Sequence, residues 1–122
     1  MAAQLVLFAA IGVAIIVGAS VAGRGVLDLR PSLSPFPAPL AGAPLIDTGA
    51  YRLIRHPIYA GLVVMALGWG LATGSIAAIA GAVSLLLLFD GKSRREEAWL
   101  VGAHPGYAEY KRRTRRFVPW VY

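Results

Sequence analysis

Cysteine is absent from the sequence. That excludes a disulfide framework, a thiolate nucleophile and a zinc site built on sulfur. Histidine is nearly as scarce, and His56 and His104 stand too far apart to start a metal-ligand set. Acidic residues number 6 against 12 lysines and arginines, a formal net charge of +6. Charge of either sign is missing from residues 3–22 and 58–89. A basic excess can serve nucleic acid, but here the basic residues flank apolar runs. That pattern fits membrane topology and anionic head groups, so no nucleic-acid partner is expected.

What is present is apolar surface. Hydrophobic residues make up 57% of 122 positions and mean hydropathy is +0.64, which suits a single all-α membrane domain, not a soluble one. About twenty residues of helix cross the hydrocarbon core, so residues 3–22 read as a first transmembrane helix. The Ala19-Ser20-Val21-Ala22-Gly23 end is faintly like a signal-peptidase site. No basic n-region precedes it, so the helix reads as retained.

Residues 24–48 form a connector dense in proline, which forbids helix and central strand. Its apolar Phe36, Leu40 and Leu45 suit a segment lying along the membrane and walling a site. The uncharged run 58–89 is too long for one crossing. Thr73-Gly74-Ser75 offers a break, giving a hairpin with spans near 57–73 and 75–90. No proline stops the second leg, which should continue through Lys92, Glu96 and Glu97 to Leu100. Arg24, Arg30, Arg52 and Arg55 fall between the first two spans, and the remaining bases follow the third. The positive-inside rule puts both groups in the cytoplasm, as expected for a bacterial inner-membrane protein. Phe117, Trp120 and Tyr122 after a basic run give the C-terminal part the character of an interfacial helix.

The chemistry-bearing residues lie at about 49–61 and 92–119. In Arg55-His56-Pro57-Ile58-Tyr59, Pro57 suits the first turn of a helix with His56 as its cap. Such an N-terminus can hold a carboxylate or phosphate. Helical phase places Glu96 with Phe89, Ser93 and Leu100. It places Glu97 with Asp90 and Arg94, where a solvated Arg94–Glu97 pair is expected. On that phase Glu96 carries the greater burden. A kink at Gly91 would exchange the two roles. Tyr107 and Tyr110 share a helix face.

Four blocks occur in order: Leu33-x-Pro35-Phe36-Pro37-x-Pro39; Gly49-x-Tyr51-Arg52-x-x-Arg55-His56-Pro57-x-Tyr59; Glu96-Glu97-x-x-Leu100; and Tyr107-x-x-Tyr110-x-x-x-x-x-Arg116-x-x-Pro119. Together they resemble the isoprenylcysteine carboxyl methyltransferase family, related to the phospholipid N-methyltransferases, over roughly residues 31–122. The resemblance implies an integral-membrane enzyme using S-adenosylmethionine at a cytosolic pocket. The cofactor contacts it implies are Arg55, His56, Tyr59, Glu96 and Glu97, helped by the C-terminal Tyr107 and Tyr110. Arg52 or Arg55 could hold an acceptor carboxylate as the catalytic groups. The family usually carries further helices before the shared region, so the expected acceptor is a small apolar or lipid-like molecule. Membrane lipids are expected neighbours, and homo-oligomerisation is a route to completing the site. The competing reading is a non-catalytic small membrane protein that binds lipid or assembles with partners.

Overall fold

A computed structural model of the chain describes residues 1–30 and 45–122. The proline-rich block at 31–44, including Phe36 and Leu40, lies outside the described residues. Among those described, the fold is all helical: α1 (Ala2–Leu29), a 3-10 turn (Gly49–Arg52), α2 (Pro57–Thr73), α3 (Ile76–Ala103) and α4 (Tyr107–Arg113). α1 and α3 are long and apolar enough to cross a bilayer, and α2 is a shorter apolar helix.

Local chemistry sets the helix ends. His56 is the N-cap of α2 and Pro57 its first residue, as expected, although the His56 side chain makes no capping bond. Gly74 ends α2 at φ 63° in the left-handed region, where glycine lacks the Cβ that would clash. Ser75 then caps α3 by accepting from the Ala78 amide. The hairpin break is thus where the sequence places it. α1 runs further than the 3–22 span: Arg24 and Asp28 pair across one turn, and the helix continues to Leu29. α3 continues unbroken past Asp90 and Gly91 to Ala103, so no kink exchanges the two glutamates.

α2 is the central helix, with α1 and α3 packed on different faces of it. The α1–α2 seam depends on absent side chains. A Cβ on Gly18 would come 2.8 Å from the Gly61 carbonyl, and one on Gly61 would run into the Gly18 carbonyl and Ala22. Small residues at such a seam let helix backbones approach closely. The seam matters for function because it fixes the lower end of α2. There Asp28 of α1 accepts from the Ala50 amide at 2.8 Å and ties the 3-10 turn to α1.

Gly61→Ala should therefore destabilise the fold by roughly 1–3 kcal/mol, the range for overpacking. Gly23→Ala, on the same helix pair but with open space around the new methyl, should be close to neutral. Thermal melts of the two variants in detergent check this, and equal shifts would contradict the seam.

Candidate functional site

Helix continuity brings the two sequence blocks together. Arg55 and His56 end the turn that leads into α2, and Glu96 and Glu97 lie on the part of α3 beyond its apolar stretch. A third stretch, residues 114–117, closes over them. Its backbone runs alongside residues 53–56 through an isolated parallel bridge between Ile54 and Arg115. The Arg55 amide donates to Arg115 O at 2.7 Å, the His56 amide to Arg116 O at 3.0 Å, and the Arg115 amide to Leu53 O at 3.0 Å. The amides immediately before α2 are therefore occupied by protein, and Pro57 is fully buried. An incoming anion would meet side-chain cations here before it met a bare helix N-terminus.

Glu97 is the centre of the cluster, at 1% exposure. Its Oε2 accepts from His56 Nε2 at 3.0 Å and from Arg116 Nε at 2.9 Å. Its Oε1 lies 3.0 Å from Arg55 Nε and 3.8 Å from Lys111 Nζ. The Arg55 contact is an ion pair too bent for a hydrogen bond, so both atoms are buried with only a Coulombic partner. Arg55 Nη1 meanwhile donates to the carbonyls of Lys111 and Thr114, both at 3.0 Å. Burial alone would raise the Glu97 carboxyl. Hydrogen bonds from His56 and Arg116, with the charges of His56 and Arg55, more than offset this and hold it at about 2.

This overturns the surface pairing expected for Glu97. Arg94 instead reaches Asp90, one turn before it, at 3.0 Å. The expected phase is corrected as well: it grouped Ser93 with Glu96 and gave Glu96 the greater burden, whereas fully buried Ser93 shares the inward line of α3 with Glu97, one turn further on. What a helix taken alone could not reveal is that three cations from distant sequence face that line.

Glu96 sits beside this core, in a more accessible place. Its Oε1 accepts from Tyr59 OH and Lys92 Nζ, both at 2.5 Å, and its side chain is 18% exposed. Tyr59 stacks between two rings, with His56 at 5.5 Å and Phe89 at 4.3 Å between centroids. Tyr107 and Tyr110 are both buried, and burial pushes both phenols up. Tyr110 OH donates to Tyr51 O at 2.7 Å, so it braces the turn before α2 and does not present its hydroxyl to a ligand. Arg52 is exposed on that turn, away from the Glu97 core. Arg116 belongs to the core but was not among the expected site residues. Its place in the last sequence block, spaced from Tyr107 and Tyr110, was the available signal. Higher on α2, an apolar groove lined by Ile15, Leu62, Met65, Ala66 and Trp69 opens between helices, with no charged side chain in its wall.

The model of the phospholipid methyltransferase family matches residues 35–105, more than half of the chain and including both the Arg-His-Pro and Glu-Glu blocks. The chain belongs to the phospholipid methyltransferase family. Within it, the chain is similar to a cobalt-zinc-cadmium resistance protein, CzcN, of Cupriavidus metallidurans, 40% identical over 76 residues. That match covers 62% of this chain and 35% of that protein. It is also similar to a nickel-cobalt-cadmium resistance protein, NccN, of Alcaligenes xylosoxydans xylosoxydans. There the identity is 38% over 77 residues, 62% of this chain and 36% of that protein. The aligned part thus spans about a third of the length of these curated relatives. The family match stops before α4, so Tyr107, Tyr110 and Arg116 rest on the geometry alone.

The two glutamates should separate cleanly on mutation. Glu97→Gln leaves buried cations without their anion and should cost about 3–5 kcal/mol. Glu96→Gln should leave stability within roughly 1 kcal/mol, because its partners reach solvent. The Glu97 carboxyl is lower in the folded chain than its ordinary value of 4.5. Its contribution is therefore full above about pH 4.5 and lost as pH falls towards 2. Melts from pH 7 to pH 2 should show that acid loss in the native chain and a blunted loss in Glu97→Gln. Equal behaviour of the two glutamate variants would contradict the buried role.

Proposed function

We propose that this is an integral-membrane, S-adenosylmethionine-dependent methyltransferase of the isoprenylcysteine carboxyl methyltransferase-like kind, acting on a small apolar or lipid-like acceptor. The observation that carries the reading is the convergence of Arg55-His56-x-x-Tyr59 with Glu96-Glu97 at one end of an apolar hairpin, within a family of methyltransferases.

The residues fit the cofactor's chemistry. Arg55, His56, Arg116 and Lys111 surround the single carboxylate of Glu97, so positive charge is in excess. That excess suits a ligand carboxylate, for which Arg55 Nε, buried without a hydrogen-bond acceptor, is an unused donor. Glu96 offers an acceptor for an ammonium or ribose hydroxyl, with the Tyr59 hydroxyl beside it. When bound, the cofactor supplies a sulfonium methyl for in-line displacement. The chain's part is to align the acceptor and keep water out. A carboxylate acceptor is already ionised at neutral pH and needs no base. Exposed Arg52, or Arg55, is our candidate to hold such a carboxylate. The groove beside Leu62 and Trp69 gives room for the acceptor's apolar part, level with lipid.

A second reading, a non-catalytic membrane component, is favoured by one fact: Glu97 already ties the core cations together without a ligand. Calorimetry on the folded, detergent-solubilised protein separates the two. S-Adenosylhomocysteine binding is the expected result, and no binding by the folded protein would remove the enzyme reading. The proposed orientation, with the site in the cytoplasm of a bacterial inner membrane, has its own test. Cysteine in place of Ile76, 84% exposed at the hairpin tip, should react with an impermeant thiol reagent in intact cells. Cysteine in place of exposed Arg112 should not, and the reverse pattern would invert the topology.

A further inference from the structure

Lys92 is a cation at the site that the sequence blocks leave without a role. Its ammonium lies 2.5 Å from Glu96 Oε1, is hydrogen-bonded to Tyr59 OH, and sits 4.8 Å from the centre of the Tyr59 ring. Tyr59 OH itself donates to the same glutamate oxygen. A carboxylate oxygen and a phenol hydroxyl thus hold a single cation at the edge of the Tyr59 ring, partners that recognise an ammonium by hydrogen bonds and a sulfonium by charge.

A plain helical salt bridge accounts for only part of this. Lys92 precedes Glu96 by one turn, the weaker order for such a pair, since glutamate on the N-terminal side is preferred. The pairing gains instead from Tyr59, which arrives from α2 and is held in place by its stack on Phe89. Lys92 is also free to leave. Its side chain is 33% exposed, four rotatable bonds separate its charge from the helix, and its recorded polar contacts are with Glu96 and Tyr59. Glu97, by contrast, is itself closed to solvent.

We propose that Lys92 is a displaceable stand-in for the cationic group of the ligand, occupying the Tyr59–Glu96 cradle until that ligand expels it. The inference rests on the cofactor reading above. It makes Lys92 a competitor of the ligand, and so a determinant of its affinity, whereas a contact residue would strengthen binding.

The test titrates S-adenosylmethionine and S-adenosylhomocysteine into the detergent-solubilised chain and into Lys92→Met, which keeps the apolar stem. Lys92→Gln serves as a second variant should Lys92→Met fold poorly. Removing a competitor of ordinary salt-bridge strength should tighten binding about two- to fivefold. A larger gain for S-adenosylmethionine identifies the displaced group as the sulfonium's counterpart. An equal gain for both identifies it as that of the ammonium they share. Acylation of Lys92 by an amine-reactive ester, followed by mass spectrometry, gives a second readout: labelling should rise when ligand is added. Unchanged or weaker affinity in the variants, or labelling that falls on ligand addition, overturns the inference and leaves the cofactor reading standing. No binding of either nucleoside to any form removes both.

Discussion

The carboxylate of Glu97 joins stretches of chain that are remote in sequence: the turn before α2 through Arg55 and His56, the body of α3, and the closing segment through Arg116. A buried ion cluster of this kind gains little net stability over a well-packed apolar core, because desolvation offsets most of the attraction. What it does is fix geometry. The charged groups fall into place only when all three stretches are docked. The backbone bridge between residues 53–55 and 115 then locks the arrangement. The polar end of the hairpin is therefore built around one anion, and the reachable groups, Tyr59, Lys92 and Glu96, are arranged on its rim.

Much of this was legible in the sequence, for reasons that are local. Proline at 57 and glycine at 74 act on their own backbone, so the start of α2 and the break after it could be placed from residue type. The absence of proline after Asp90 likewise foretold that α3 would carry both glutamates beyond the apolar run. The convergence of the Arg-His-Pro and Glu-Glu blocks followed from the hairpin itself. The balance between Glu96 and Glu97 did not. Arg94 lies close in sequence to Glu97 and suggested a surface pair, while Arg116 is 19 positions away and Arg55 comes from the far side of the hairpin. Partners of that kind are set by tertiary docking, which no helical wheel contains. The same limit applies to Lys92, whose meaning depends on a tyrosine from another helix.

The apolar part of the molecule serves this end in a different way. Glycine contacts between α1 and α2 bring two backbones together and anchor the turn that carries Arg55. Large side chains such as Leu87 and Trp69 stay on the outside, 68% and 64% exposed, as lipid-facing residues would be. The polar cluster and the apolar groove consequently share α2, with Tyr59 about one turn below Leu62.

Backbone hydrogen exchange at Arg55, His56 and Arg115 tests the organising role of Glu97 most directly. These amides are bonded across the bridge between the two segments that Glu97 gathers. In Glu97→Gln their protection should fall sharply, while amides in the middle of α2, such as Met65 and Ala66, keep theirs. Unchanged protection at all three bridge amides would show that the segments dock without the carboxylate, and would contradict the account.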